Sequence, residues 1–278
     1  MQILCLKCVR SDYKLMIKKK ATPSFQPNLE NLTMTDSTKT AIITGSSSGM
    51  GAAIAKKLAA NGLAVVVNYA GSKDKADKVV EEIEDNGGKA ISVQANVSSA
   101  EDIKKLFDEA ESNFGRVDVL VNNAGKAIRK PLAEFSEEEY DTVIDINLKG
   151  VFLCLSQAAK RLQDNGRIIN ISASFQGAPI PGYGVYAASK MAIEKLTEVA
   201  ARELGERGIT VNAVRPGPTD TALFNKGKDE KAKEFFASQA ALGRLGQPED
   251  IANVIAFLVS EQGGWVTGQA IGANGGYW

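Results

Sequence analysis

The sequence predicts an α/β fold, a doubly wound parallel sheet in a single domain. Three observations carry that prediction. From Thr40 onward, short apolar runs alternate with segments of helical length. The first run opens directly into a glycine-rich turn and a helix, and the alternation then continues without an internal repeat or a linker. Strands separated by helices of about 10–15 residues define βαβ units, whose strands run parallel. With 278 residues and 44% hydrophobic content, the chain can bury a substantial core as one such domain.

Thr40-Ala-Ile-Ile-Thr44 is the first strand, and it enters Gly45-Ser-Ser-Ser-Gly49-Met-Gly51. The helix that follows carries Ile54, Ala55 and Leu58 on one side. Ala64-Val-Val-Val-Asn68 is the second strand, a charged helix runs from about Lys73 to Asn86, and Ala90-Ile-Ser-Val-Gln94 is the third strand. Ile103, Leu106, Phe107 and Ala110 mark the next helix, which leads to the strand Val117-Asp-Val-Leu-Val121. One long helix is expected from about Glu137 to Gln163, followed by the strand Arg167-Ile-Ile-Asn-Ile171. Tyr186 stands early in the next helix, and Thr210-Val-Asn-Ala-Val214 is a further strand. Ile251, Val254, Ile255 and Leu258 give the i, i+3, i+4, i+7 spacing of a last amphipathic helix. Residues 1–38 differ in character: Lys18-Lys19-Lys20, scattered prolines and no sustained periodicity predict a disordered extension, with a natural start at Met34 and the working domain over 39–278.

Composition removes several classes of function. The 33 basic residues balance 33 acidic ones, so no basic excess is available for nucleic acid. No apolar run approaches the ~18 residues of a membrane span. Histidine is absent, which removes His-based triads, His zinc ligands and His proton shuttles together, and no metal site is expected. Cys5, Cys8 and Cys154 are too few for a disulfide framework, which suits a reducing, cytoplasmic setting.

Between the first strand and the first helix, Gly45, Gly49 and Gly51 permit a tight turn and close approach of the backbone to a pyrophosphate. Free N–H groups at the helix N-terminus would meet its charge. Ser47, Ser48 and Met50 complete the loop; an ordinary βα turn is the alternative. Binding of this kind usually includes an acidic side chain about 20 residues further on, against the ribose 2′-hydroxyl of NAD. Here the second strand ends in Asn68-Tyr69-Ala-Gly-Ser72-Lys73, without one. Ser72 and Lys73 could accept a 2′-phosphate that a carboxylate would repel. NADP(H) is therefore favoured as cofactor, with NAD(H) the alternative.

Tyr186 and Lys190 stand four positions apart. On a helix that spacing puts both side chains on one face, about 5–6 Å apart. An ordinary phenol, with a pKa of about 10, is a poor acid/base at neutral pH. The Lys190 ammonium is expected to lower it. A shift of about three units, worth roughly 4 kcal/mol, calls for a second positive charge close by. Taken alone, the pair also suits a plain solvated helix face.

Thr44-Gly-x-x-x-Gly-x-Gly51, Asn122-Asn-Ala-Gly125, Asn147, serines 172 and 174, Tyr186-x-x-x-Lys190 and Pro216-Gly217 occur together in that order. In order and spacing this set resembles the short-chain dehydrogenase/reductase family, from about Thr40 to the end of the chain. The resemblance implies a Rossmann-type fold, NAD(P)(H), and hydride transfer between the nicotinamide and a carbonyl or alcohol carbon. It implies Tyr186 as general acid/base, Lys190 as its charged neighbour and ribose ligand, the oxidised nicotinamide ring as second cation, and Asn147 as holder of a proton-relay water. A serine would polarise the substrate oxygen; Ser174 keeps the family's spacing to Gly177 and is favoured over Ser172. Toward the cofactor it implies Asn96 and Val97 at the adenine, Asn123, Ala124 and Gly125 at the adenosine ribose, and Pro216, Gly217, Thr219 and Thr221 at the carboxamide. The segment from Leu223 to Ala241, with Phe224, Phe235 and Phe236, resembles the family's variable lid. Substrate choice would fall to residues such as Lys126, Ile128, Gln176 and Tyr183. Asn68-Tyr69-Ala and Gln94-Ala-Asn96-Val97, with Gly264-Trp-Val-Thr-Gly268, look similar to hydroxynaphthalene, aldehyde and sugar-alcohol reductases. The leading expectation is an NADPH-dependent reductase of a small-molecule ketone or aldehyde. The alternatives are a 3-oxoacyl-carrier-protein reductase, which should carry a basic patch near its cleft, and a non-catalytic cofactor-binding regulator. A homo-oligomer, dimer or tetramer, packed through the two long helices after Gly125 is also implied.

Overall fold

The computed structural model describes residues 38–174 and 180–277. Residues 1–37 of the expected extension over 1–38, with Cys5 and Cys8, and the segment holding Gln176 and Gly177 lie outside the described residues.

Seven strands form one parallel sheet in the order β3-β2-β1-β4-β5-β6-β7. They are β1 (Thr40–Ile43), β2 (Ala64–Tyr69), β3 (Lys89–Gln94), β4 (Val119–Asn122), β5 (Arg167–Ile171), β6 (Thr210–Pro216) and β7 (Ala270–Ala273). The chain starts in the middle of the sheet, winds outward through β2 and β3, then returns across β1 to build the other half. Right-handed crossovers of this kind put helices on both faces. Helices α1 (Gly49–Ala60), α2 (Lys73–Asp85) and α9 (Pro248–Val259) close one apolar core. Helices α3 (Ala100–Phe114), α5 (Gly150–Arg161) and α6 (Gly184–Leu204) close the other. Covered on both sides, β1 and β2 are buried at every position, which is why Ala64-Val-Val-Val reads as a continuous apolar run.

Local signals set the helix ends. Ser99 accepts a hydrogen bond from the Asp102 N–H at the start of α3, and Gly115, at φ +78°, stops it. Ser136 and Glu139 form a reciprocal capping box on α4 (Glu137–Ile144).

Two expectations are corrected. The long helix expected from Glu137 to Gln163 is interrupted: α4 passes through a π-helical turn, Asp145–Lys149, before α5, which ends at Arg161. Strand β7 was not expected, because Ala-Ile-Gly-Ala is short and carries a glycine. It forms because β6 offers its free edge, in the register Ala213↔Ala270 to Pro216↔Ala273. Two short helices, α7 (Ala222–Asn225) and α8 (Glu230–Ser238), make up the segment read as a lid. Among the described residues, no helix is long and apolar enough to cross a membrane.

Candidate active site

The chain order reverses between β1 and β4, and in such sheets a crevice opens beyond the C-terminal strand ends. Here it is a cleft of about 510 Å³, lined from the strand ends, the glycine loop and the lid. Gly45 has φ +62°, and a Cβ on it would stand 2.9 Å from the Ala124 Cα. A Cβ on Gly51 would stand 2.5 Å from the Gly45 carbonyl oxygen. Both positions therefore exclude a side chain. At the start of α1, Ser48 makes no side-chain cap, so the first-turn N–H groups of Gly49, Met50 and Gly51 are left to the cleft they line. Uncapped N–H groups at a helix start suit a pyrophosphate.

The remaining cofactor-side residues divide. Asn68, Asn96, Val97, Asn123, Ala124, Gly125, Pro216, Gly217, Thr219 and Thr221 all line the cleft. Asn68 is buried and braces the loop, its Oδ1 accepting from the Gly45 N–H at 3.0 Å and its amide donating to the Ala95 carbonyl at 3.0 Å. Asn123 donates to the carbonyls of Thr44 and Gly45 at 2.9 and 3.0 Å. Ser47, Tyr69, Ser72 and Lys73 are not among the lining residues. Tyr69 packs into the core beside α1 and α2 instead. Lys73 donates to Asp77 at 2.5 Å, and that carboxylate raises its pKa. The ammonium expected at a 2′-phosphate is thus held one turn along its own helix.

Tyr186 and Lys190 do share one face at the start of α6. Lys190 is buried; its Nζ donates to the Ile171 carbonyl at 2.7 Å and lies 5.8 Å from the centre of the Tyr186 ring. Their acidities reverse the expectation. Burial, with a smaller push from the negative form of Tyr183, raises the Tyr186 hydroxyl to about 12. Burial lowers Lys190 to about 8. Desolvation disfavours the charged form of each group and is the largest cause of both shifts.

The serines are distinguishable by their partners. Ser172 has one hydroxyl proton and two acceptors, the Lys190 carbonyl at 3.1 Å and Glu194 Oε1 at 2.7 Å. Glu194, itself 6% exposed, is gripped by Arg215 through Nε at 2.7 Å and Nη2 at 2.5 Å. Withdrawing a hydroxyl from such a charged acceptor costs about 1.5–3 kcal/mol. Ser174 instead donates to the Arg215 carbonyl at 3.1 Å and accepts from Asn274 Nδ2 at 3.1 Å. Both serines line the cleft, but only Ser174 is without a charged partner.

Asn147, in the π-helical turn, is fully buried. Its Oδ1 accepts from the Lys126 N–H at 2.8 Å, while its amide donates to the Lys126 carbonyl and to Ser189 Oγ, both at 3.0 Å. The side chain expected to hold a water is thus committed to the strand-end loop after β4. A Cβ on Gly125 would stand 3.4 Å from Lys190 Nζ and 3.5 Å from Asn147 Oδ1, ordinary van der Waals contact, so the loop after β4 borders both side chains.

In the lid, Phe224 and Phe236 line the cleft and pack edge to face with centroids 5.4 Å apart. Phe235 faces solvent. Lys126 and Tyr183 line the cleft and Ile128 does not. Sequence reasoning missed Asn274, the Glu194–Arg215 pair, and a buried polar ladder. In that ladder Asn122 donates to Asn170 at 2.8 Å and Asn170 to Thr197 at 2.9 Å, fastening α6 to β4 and β5. Asn170 and Arg215, polar residues inside apolar strands, were the available signal.

A glycine-loop cradle that shares one cleft with a Ser/Tyr/Lys cluster at the switch point of a parallel sheet defines a class: a dinucleotide-dependent α/β oxidoreductase. The family described as Enoyl-(Acyl carrier protein) reductase matches residues 45–278. The 3-oxoacyl-[acyl-carrier-protein] reductase FabG of Staphylococcus aureus is 47% identical over 241 residues, covering 86% of this chain and 98% of that protein. Among solved structures, a dehydrogenase/reductase from Sinorhizobium meliloti superposes with a TM-score of 0.82 at 42% identity, over 86% of this chain and 94% of that one. A blue fluorescent protein from a metagenomic library, in complex with NADPH, gives 0.82 at 37% identity over 86% and 97%. The chain belongs to the short-chain dehydrogenase/reductase family and is an NAD(P)-dependent oxidoreductase.

Proposed function

We propose that the protein is a cytoplasmic NADP(H)-dependent reductase that converts a small-molecule ketone or aldehyde into the alcohol. The observation that carries this reading is that Ser174, Tyr186 and Lys190 line the same cleft as the glycine loop. Bound NADPH would supply a hydride to the carbonyl carbon. Ser174 turns its hydroxyl from the Arg215 carbonyl to the substrate oxygen and polarises it. Tyr186, protonated across the neutral range, gives its proton to that oxygen as charge develops, completing the alcohol. Lys190 stabilises the phenolate left behind, and Asn147 holds the Lys126 loop against both. The lack of an acid after β2 and the NADPH held by the metagenomic relative support NADP(H).

The test is oxidation of NADPH and NADH against quinones, cyclic ketones, aldehydes, sugars and 3-oxoacyl thioesters, with Tyr186→Phe as control. Removing the proton donor should cost about 10²–10⁴-fold in kcat. A protein that binds NADPH and reduces none of these carbonyls would sink the reading.

A second reading, reduction of a 3-oxoacyl group on an acidic carrier, is favoured by the FabG relatives and by charge at the cleft. Lys126 and Lys228 line the cleft, and the Arg129 guanidinium lies over the Tyr183 ring at 5.6 Å. None of the three is in an ion pair with a carboxylate among the described residues. Arg129→Glu should raise KM for a carrier-bound thioester about tenfold while leaving KM for a free ketone unchanged. Equal effects on both would remove this alternative.

The partner expected beside the substrate is a second copy of the chain. Exposed Phe152 on α5 and Met191 and Val199 on α6 supply the apolar surface for it.

A further inference from the structure

We propose that Asn274 is a positioning residue for the reaction, holding the Ser174 hydroxyl in place for the substrate oxygen. The inference rests on the reductase reading above and names how its polarising serine is set.

Asn274 follows β7, the edge strand that sequence analysis did not foresee. Its amide orientation is fixed by backbone on both sides. Oδ1 accepts from the Gly276 N–H at 3.1 Å, which only an oxygen can do. Nδ2 donates to the Tyr277 carbonyl at 3.0 Å, which only a nitrogen can do. The remaining Nδ2 proton is aimed at Ser174 Oγ, at 3.1 Å. Gly217 packs against the same residue: a Cβ there would stand 2.9 Å from the Asn274 Cα and carbonyl oxygen. The residue is therefore clamped from the main chain before it touches the serine.

A serine oxygen has one proton to give and two lone pairs to receive. With one lone pair engaged by Asn274, the Ser174 proton can swing from the Arg215 carbonyl to a substrate oxygen without losing its anchor. A hydroxyl that accepts a hydrogen bond also donates a stronger one, because successive bonds polarise one another. Asn274, Ser174 and the substrate oxygen thus form a relay of two aligned donors. Ser172 has no such arrangement, its proton being held between Glu194 and the Lys190 carbonyl.

A double-mutant cycle on the full chain tests this. Asn274→Ala should lower kcat for a ketone about tenfold with KM for NADPH unchanged, and Asn274→Asp, which keeps the size and the acceptor but loses the donor, should lose the same factor. In a Ser174→Ala background Asn274→Ala should cost less than about twofold, whereas in a Ser172→Ala background it should cost the full factor. Fluorescence titration with NADPH and thermal unfolding identify variants that have lost the fold, and the aspartate variant then carries the comparison. Equal losses in the wild-type and Ser174→Ala backgrounds, or an Asn274→Asp enzyme with wild-type kcat, overturn the positioning role alone. A wild type that binds NADPH but reduces no carbonyl overturns the reductase reading and this role with it.

Discussion

Lys190 carries a buried charge whose cost is measurable. In the folded chain its pKa falls from 10.5 to about 8 because burial strips water from the ammonium. Between those values the unfolded chain binds a proton that the folded chain has released, so stability rises with pH across the window. At pH 7 both states hold the proton and the fold bears the whole difference, about 3 kcal/mol. Tyr186 acts in the opposite sense, since its folded value of about 12 lies above the ordinary value of 10.0, so stability is lost as pH rises past 10. Cys154, pushed by burial from 9.0 up to about 12, opposes this rise from about pH 9 upward, so the Lys190 contribution dominates between about pH 7 and 9. Urea midpoints of the cofactor-free protein should rise from pH 7 to 9, and Lys190→Met should abolish the rise while eliminating turnover. An equal rise in the variant would assign the titration to another group. Spacing along the sequence placed Tyr186 and Lys190 on one helix face, as the structure has them, while only the resemblance set them apart from a solvated face. It could not show their acidities, which depend on how much protein the fold packs around each group.

At the level of elements, the π-helical turn between α4 and α5 decides where Asn147 points. The Gly150 N–H reaches back five residues to the Asp145 carbonyl, one more than in an α-helix, and the wider turn delivers Asn147 to the Lys126 backbone. Such turns appear inside α-helices, often at functional sites, and the chain stays helical through this one, which is why one continuous helix was read here. Asn147→Ala would leave the Lys126 N–H and carbonyl without their partner, at a cost of about 1–3 kcal/mol. In a domain of this size that lowers Tm by roughly 2–10 °C. The loop that brings Gly125 against Lys190 would loosen as well, so kcat should fall with the stability. A variant with unchanged Tm would show that the amide bonds contribute nothing net. The same physics acts at Lys73: an exposed lysine with an aspartate one turn along takes that local partner, and no sequence pattern reports the competition.

For the whole molecule, the parallel sheet and most of its helices were legible, because buried strands on both sides of a doubly wound sheet leave long apolar runs between turn signals. What escaped was held together by contacts distant in sequence. Strand β7 exists through β6, and Asn274 reaches a serine exactly one hundred residues away in the chain. Assembly is the remaining level, and the seam proposed for it is the apolar surface that the fold leaves exposed. Phe152 on α5 is 55% exposed, and Met191 and Val199 on α6 are 40% and 48% exposed, on helices whose inner faces are already buried in the core. A two-fold axis would use this surface twice, burying each residue once per copy. With Phe152 already half covered, about half of the roughly 150–250 Å² of an aromatic side chain remains to be buried, worth about 2–3 kcal/mol per residue at about 25 cal/mol per Å². Phe152→Glu would therefore withdraw two such contributions from a dimer and place two carboxylates in its apolar seam. Sedimentation velocity should find the wild type as a dimer or tetramer and Phe152→Glu shifted toward monomer, with its NADPH affinity retained because Phe152 lies outside the cleft. A monomeric wild type, or a variant that assembles as before, would move the interface elsewhere on the molecule.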